Sequence, residues 1–131
     1  MKKVMIFGTF NILHPGHLNL FRQAKNYGDK LYVVLAKDDT VKDIKYYEPL
    51  NEIKRRETLL KIPLIDQVIF GEIDDKLKAV KTIKPDIICL GYDQLHFVEE
   101  LEAYLLENNI NIPIIRLKPY NPKRYKSSKL I

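Results

Sequence analysis

Cysteine is almost missing from this sequence of 131 residues, and long apolar runs are missing altogether. A lone cysteine, Cys89, cannot make a disulfide within the chain, which favours a reducing compartment. No apolar run reaches the length of a membrane span, and no signal-peptide pattern is present. We therefore expect a cytoplasmic protein without a membrane partner, whose cysteine packs in the core and is not a nucleophile.

Clusters of positive charge are missing as well. The formal net charge is +5 at pH 7, from 22 Lys and Arg residues against 17 Asp and Glu residues, and no polybasic tail is present. A nucleic-acid-binding surface would require these charges to be clustered. The charge balance therefore favours a small anionic substrate and excludes nucleic acid as an expected partner.

Apolar runs alternate with helical patterns along the chain. Five such runs predict strands at residues 3–7, 31–36, 67–70, 86–90 and 113–117. Helices are predicted at residues 15–27, 52–61 and 74–84, and from the residue after Gln94 to about Asn108. This alternation is typical of a parallel sheet with helical crossovers. We expect one α/β domain, residues 1–131, with a Rossmann-like, doubly wound parallel sheet of five strands.

Single residues indicate where these helices begin and end. Pro15 suits the first position of the first helix, and Gly28 is its candidate C-cap. The face of that helix predicted to pack on the sheet carries Leu20, Phe21, Ala24 and Tyr27. Asn51 is the predicted N-cap of the second helix.

The stretch between the first strand and the first helix has the composition of an anion site. Gly8 and Gly16 allow another molecule to approach the backbone closely. The helix N-terminus supplies unpaired N–H groups and a partial positive charge. His14 and His17 are three residues apart around the helix start, and both could face this site. The combination points to phosphate chemistry.

These residues resemble a known signature. The sequence Gly8-Thr9-Phe10, followed by His14-x-x-His17 with Gly16 before the second histidine, is similar to the HxGH pattern of the cytidylyltransferase-like nucleotidyltransferases. Three later segments resemble the same family in the same order. Arg55 matches an arginine that contacts the triphosphate, although Ile53 stands where the family usually has glutamate. The other two segments are Gly91-x-Asp93 and Ser127-Ser128. The first is similar to a family segment that holds the base and ribose, and the second to one that binds the β- and γ-phosphates.

The resemblance implies a reaction in which an acceptor phosphate attacks the α-phosphorus of a nucleoside triphosphate and releases pyrophosphate. It assigns His14 and His17 to the phosphate oxygens in the transition state, and Arg55, assisted by Lys45, to the leaving pyrophosphate. Nucleotide contacts are implied for Gly8, Thr9, Phe10, Asn11 and Gly16. Mg²⁺, or another divalent cation, would bridge the phosphates and be held mainly by substrate oxygens and water. The resemblance also implies that the protein could be a homodimer.

The sequence leaves the substrates open. Its later segments are most similar to family members that transfer AMP from ATP to FMN, and the alternative is transfer of CMP from CTP to glycerol 3-phosphate or a similar alcohol phosphate. Asn11 stands where the family usually has aspartate, and an amide lacks the charge to hold a cation strongly. A catalytically weak, nucleotide-binding homologue is therefore the third hypothesis.

Overall fold

The computed structural model of this chain describes residues 1–8, 10, 13, 15–37, 51–71, 77–91 and 98–119. Its strands are β1 Lys3–Gly8, β2 Lys30–Leu35, β3 Gln67–Phe70, β4 Ile87–Leu90 and β5 Ile114–Arg116. The helices of the described residues are α1 Pro15–Lys25, α2 Glu52–Leu60, α3 Lys78–Ile83 and α4 Val98–Glu107. The predicted alternation is confirmed, and each strand boundary agrees to within one residue.

All five strands form one parallel sheet in the order β3-β2-β1-β4-β5. From β1 the chain adds β2 and then β3 on one side. It then crosses to the other side of β1, where it adds β4 and β5. In sheets of this kind the chain reverses its direction of winding between β1 and β4, and ligands bind in the crevice outside the carboxyl ends of those two strands. This topology confirms the predicted doubly wound fold.

The core is divided by the sheet into two layers. On one face, Phe21 and Ala24 of α1 and Leu59 of α2 pack against alternate residues of β1 and β2 such as Ile6 and Val33. Residues of α3 and α4 pack on the other face: Val80, Leu101 and Leu105 against Met5, Phe7, Ile88 and Leu90. Strands covered on both faces need apolar residues at consecutive positions, which is why they read as continuous apolar runs.

Aspartates precede three of the strands and pair with a neighbouring strand. Asp29, before β2, accepts a hydrogen bond from Lys2 N at 2.8 Å and donates its own N–H to Lys2 O at 2.9 Å. Asp86, before β4, makes the same pair of bonds with Lys3, at 2.7 and 2.9 Å. Asp66, before β3, repeats them with Leu31, at 2.8 and 3.0 Å. These reciprocal bonds align the amino ends of the strands.

Two predictions about the end of α1 are wrong. The helix stops at Lys25, so Tyr27 lies beyond it and is 39% exposed instead of facing the sheet. Gly28 is not a left-handed C-cap, because no described glycine has a positive φ. It is required by space: a Cβ there would lie 2.6 Å from Val4 Cγ2 and 2.8 Å from Lys2 O. The chain passes too close to the start of β1 for a side chain.

Two predicted helix starts and the burial of Cys89 are confirmed, whereas the helix predicted at residues 74–84 is shorter, with Leu77 as its N-cap and Lys78 as its first residue. Pro15 is the first residue of α1, and the side chain of Asn51 caps α2 by accepting a hydrogen bond from Ile53 N at 2.8 Å. Cys89 is buried in β4, and this burial raises its thiol pKa to about 11, so the thiol is protonated at neutral pH. No helix in the described ranges is both long and apolar enough to cross a membrane.

Candidate active site

The candidate site lies at the carboxyl ends of β1 and β4. Gly8 ends β1, and Gly91 directly follows β4. Between Gly8 and β2 the hydrogen bonding continues past the strand ends, because Ala36 N donates to Gly8 O at 3.0 Å. Helix α1 begins seven residues beyond Gly8, so its N-terminal N–H groups belong to the connection that leaves this edge. The sheet order thus brings Gly8 and Gly91, at the ends of two neighbouring strands, to the same edge of the sheet.

Phe10 has a strained backbone and a buried ring. Its φ is 49°, in the left-handed region that side chains rarely adopt, which costs on the order of 1–3 kcal/mol. The ring is 7% exposed and folds back over Gly8, where an added Cβ would lie 2.6 Å from ring atoms Cε2 and Cζ. Glycine at position 8 is therefore needed to leave room for this ring.

The same ring packs against His17. The Phe10 and His17 rings are 5.3 Å apart between centroids and meet edge to face at 79°, and the Phe10 and Phe21 ring centroids are also 5.3 Å apart. His17 is the third residue of α1 and is half-buried, and its Nδ1 atom is buried. A phosphate could therefore reach this imidazole only through Nε2. The strained Phe10 fixes the orientation of the ring that carries that atom.

Arg55 is buried to 1% exposure and is the largest fully buried side chain of the described residues. It lies in the first turn of α2, whose start is set by the Asn51 cap and by the bond from Arg55 N to Asn51 O at 3.0 Å. The neighbouring Arg56 guanidinium stands 5.8 Å from the ring centroid of Phe70, the last residue of β3. The first turn of α2 therefore lies beside the carboxyl edge of the sheet. A guanidinium can bind a phosphate with two hydrogen bonds, but at 1% exposure that of Arg55 has to be uncovered before a phosphate can reach it.

The structure describes only some of the predicted site residues. It places Gly8, Phe10 and His17 in one packed group, with Gly16 in the first turn of α1 and Gly91 at the neighbouring strand end. Arg55 is on a separate element, α2. The remaining predicted residues lie outside the described residues: Thr9, Asn11, His14, Lys45, Asp93, Ser127 and Ser128.

Sequence reasoning missed two side chains that hold the chain just beyond β4 and β5. Arg116 Nη1 donates to Gly91 O at 2.8 Å. Gln23 of α1 clamps the backbone of Lys118, donating to its carbonyl oxygen and accepting from its N–H, both at 2.9 Å. Neither residue belongs to a motif, so no local signal could have found them. Their partners are 25 and 95 residues away in sequence.

The described residues do not form a metal cage. No group of three or more His, Cys, Asp or Glu side chains within the described ranges is arranged to hold a metal ion.

A family model described as cytidylyltransferase-like matches residues 5–131. Because this match spans nearly the whole chain, the chain belongs to the cytidylyltransferase-like family of nucleotidyltransferases. The HxGH resemblance of Gly8–His17 is thereby confirmed at the level of the family.

Particular relatives are proteins named FAD synthase. The one from Aciduliprofundum boonei is 38% identical over 131 residues, covering 100% of this chain and 88% of the relative. The one from Methanohalophilus mahii is 37% identical and is covered to 92% of its length. The one from Thermococcus kodakarensis is 41% identical, over 98% of this chain and 89% of the relative.

Solved structures agree in fold. The lipopolysaccharide core biosynthesis protein from Thermoplasma volcanium superposes with a TM-score of 0.85 at 36% identity, covering 92% of this chain and 99% of that protein. A pantoate-beta-alanine ligase from Francisella tularensis superposes with a TM-score of 0.63 over 98% of this chain and 67% of the ligase. At 17% identity the second likeness shows the fold alone.

Proposed function

We propose that this chain transfers AMP from ATP to FMN, producing FAD and pyrophosphate. The observation that carries the proposal is its full-length similarity, at 37–41% identity, to proteins named FAD synthase. FAD is FMN joined to AMP through a new phosphate–phosphate linkage, so its synthesis from FMN is the reaction that a nucleotidyltransferase performs. The packed group of Gly8, Phe10 and His17 at the β1–β4 crevice supports the same assignment.

The reaction requires positioning and charge stabilisation more than a covalent intermediate. A phosphate oxygen of FMN attacks the α-phosphorus of ATP, and the bond from that phosphorus to the bridging oxygen of the β-phosphate breaks. Pyrophosphate then carries the departing electron pair. The attacking oxygen is already anionic, so the protein has to align it in line and stabilise the charge on the transferring phosphorus and on the leaving group.

The described residues fit these tasks. His17 Nε2 and the N–H groups of the first turn of α1 would donate to phosphate oxygens as negative charge develops there. Once uncovered, Arg55 would bind the leaving pyrophosphate, the role that the family resemblance implies for it. His14 and Lys45 complete the proposed catalytic set, while Asp93 would hold the base and ribose and Ser127 and Ser128 the β- and γ-phosphates. A divalent cation such as Mg²⁺, bound with ATP, would supply positive charge to the phosphate oxygens.

The proposal extends to the setting of the enzyme. ATP and FMN are metabolites of the cytoplasm, and we place the protein there as a single domain with small-molecule substrates and without a nucleic-acid partner. A homodimer is the proposed assembly. Size-exclusion chromatography with light scattering distinguishes a mass near 15.4 kDa from twice that value.

The test measures pyrophosphate release from purified protein with Mg²⁺, crossing ATP and CTP with FMN and glycerol 3-phosphate. Release with ATP and FMN only, with FAD detected as the product, is the expected result. Release with CTP and glycerol 3-phosphate only would replace the proposed function with cytidylyl transfer. Absence of release in all four mixtures, reversed by Asn11→Asp, would identify a nucleotide-binding homologue silenced at that position.

A further inference from the structure

Helix α2 presents large apolar side chains on its outward side. Arg55 and Leu59 are its buried residues, whereas Ile53 is 60% exposed and Leu60 is 49% exposed. Ile53 and Leu60 are seven residues apart, so they lie on the same side of the helix, two turns from each other. Among the helices of the described residues, α2 is the one that exposes two large apolar side chains in this way.

Two residues of opposite charge lie between these apolar side chains. Arg56 and Glu57 are both exposed and belong to the same side of the helix as Ile53 and Leu60. We call these four residues the α2 face. Its centre falls between Arg56 and Glu57, and an apolar residue lies three positions outward on either side.

The α2 face is complementary to a second copy of itself. In an antiparallel pair of α2 helices, with a two-fold axis at the centre of the face, Arg56 lies opposite the partner's Glu57. Ile53 then lies opposite the partner's Leu60, and the symmetry makes each of these contacts twice. A parallel pair would instead set Arg56 against the partner's Arg56, so charge favours the antiparallel arrangement.

The flanks of α2 follow the same symmetry, and those of α4 do not. Glu52 and Lys61 are equally distant from the centre of the α2 face, so an antiparallel pair also brings these opposite charges toward each other. Helix α4 exposes one large apolar residue, Leu106, and its charged residues are all glutamates. Two copies of α4 would therefore repel, which makes α2 the better surface for self-association.

The contacts that α2 makes within its own chain are compatible with pairing. The Arg56 guanidinium is 5.8 Å from the centroid of the Phe70 ring, and such a contact does not consume the N–H donors in the guanidinium plane. Leu59 packs in the core on the opposite side of the helix. Pairing through the α2 face therefore leaves the side that carries Arg55 against its own protomer.

We propose that two copies of this chain associate through the α2 face, with the helices antiparallel about a two-fold axis. The proposal rests on the proposed function only for the homodimer and not for the reaction. Because α2 is short and exposed ion pairs are individually weak, the dimer should dissociate on dilution.

The test exchanges the two central charges in the full chain. Light scattering over a range of protein concentrations gives the dimer Kd, and thermal melting gives the Tm. Arg56→Glu should raise the dimer Kd about tenfold, because both central pairs then join two carboxylates. Glu57→Arg should do the same with two guanidinium groups, whereas Arg22→Glu, at an exposed arginine of α1, is the matched control and should leave the Kd unchanged.

Mixing the two variants distinguishes this pairing from a general effect of charge. In a dimer that contains one Arg56→Glu chain and one Glu57→Arg chain, both central pairs again join opposite charges. The mixture should therefore recover a Kd near that of the wild type, with the mixed dimer identified by native mass spectrometry. The double variant Arg56→Glu/Glu57→Arg should recover it in a single chain.

A leucine pair tests the apolar ends of the face. Leu60→Ser should raise the dimer Kd about tenfold, since the symmetry removes the contact twice. Leu106→Ser on α4 is the matched control, because Leu106 is even more exposed, at 79%, and should not affect the Kd. All these positions are exposed, so the Tm should stay close to that of the wild type. Should one single variant unfold, the double variant and Leu60→Ser still test the face.

A wild-type chain that is monomeric at every concentration overturns the proposal. A dimer that survives Arg56→Glu, or a mixture that does not recover, overturns it as well, and so does Leu106→Ser if it weakens the dimer as much as Leu60→Ser. FAD formation is measured separately. A chain that dimerises through α2 but makes no FAD would refute the proposed function alone, and an active monomer would refute the interface alone.

Discussion

The two edges of the sheet are built differently. At the amino edge, Asp29, Asp66 and Asp86 each pair with the N–H and C=O groups of one residue in a neighbouring strand or, for Asp29, of Lys2 just before β1. At the carboxyl edge, the chain has a left-handed Phe10 and a half-buried His17. Regular hydrogen bonds stabilise the amino edge. The carboxyl edge instead contains a strained residue and a polar side chain at the candidate ligand site. Substitutions at the amino edge should therefore lower stability, whereas those at the carboxyl edge should lower activity.

The largest expected effect at the carboxyl edge is that of His17→Ala. Loss of the Nε2 donor should lower kcat by a factor on the order of 10²–10³, as loss of a comparable oxyanion donor does. The Tm should change little, because His17 is only half-buried. Steady-state pyrophosphate release and a thermal melt measure the two properties. An unchanged kcat would remove His17 from the mechanism, and Asp29→Asn at the amino edge serves as the control that keeps kcat.

Arg55→Lys tests whether the buried guanidinium at the carboxyl edge binds phosphate. The variant keeps the positive charge but loses the planar fork of donors, so kcat/KM for ATP should fall about 10- to 100-fold. The measurement is the initial rate at saturating FMN over a range of ATP concentrations. If only the Tm falls, Arg55 is a structural residue of α2.

A matched pair of glycine substitutions compares the edges directly. An added Cβ lies 2.6 Å from another side chain at both Gly8 and Gly28. At Gly28 it also lies 2.8 Å from Lys2 O, a backbone atom, so Gly28→Ala should destabilise the fold by about 1–3 kcal/mol and leave kcat unchanged. At Gly8 the contacts are all with the Phe10 ring, which would shift and release His17.

Gly8→Ala should accordingly lower kcat more than it lowers the free energy of unfolding. Urea denaturation and steady-state kinetics on both variants provide the comparison. The two variants should be compared at a temperature where both are folded. Equal losses of activity would contradict the claim that the carboxyl edge governs activity and the amino edge governs stability.

The smallest expected effect is at Asp66, on the amino edge. Burial acts to raise the pKa of its carboxyl, but hydrogen bonds from Lys25 and from Leu31 N, together with the charges of Lys25 and Lys30, outweigh it and lower the pKa. The Lys25 Nζ and Asp66 Oδ2 atoms are 2.5 Å apart. A lowered pKa in the folded state means that the ionised carboxylate adds stability above its unfolded pKa of about 3.9.

That contribution should disappear as the pH falls from about 4 toward 2. Asp66→Asn should therefore cost about 1 kcal/mol at pH 7 and nothing near pH 2, without a change in kcat at pH 7. Urea denaturation of both proteins at the two pH values measures the difference. A difference that persists in acid would show that the carboxylate charge is not its source.

Local physical chemistry explains which features could be predicted. The strands were found because both their faces are covered, so their apolar character shows in consecutive residues such as Val4 to Phe7. The starts of α1 and α2 were found because Pro15 and Asn51 act on the backbone within a few residues. The candidate site was located from the HxGH motif, since the residues of that motif are contiguous in sequence.

Other features had no local signal. The hydrogen bonds of the aspartate before each of three strands could not be predicted, because its partner lies 27 to 83 residues away in sequence. Gly28 was misjudged for the same reason, since the atoms that exclude a side chain there belong to residues 2 and 4.

By itself, the amino-acid sequence determined the order of strands and helices, the helix start at Pro15, and the HxGH pattern of the family. Only the tertiary structure decided that Phe10 turns back over Gly8 and packs on His17, that Arg55 is buried, and that Arg116 holds Gly91. The physical reason is the sequence distance over which each kind of interaction acts. Periodicity and capping act over a few residues, whereas burial, ring packing and hydrogen bonds between strand ends depend on which distant segments the fold brings together.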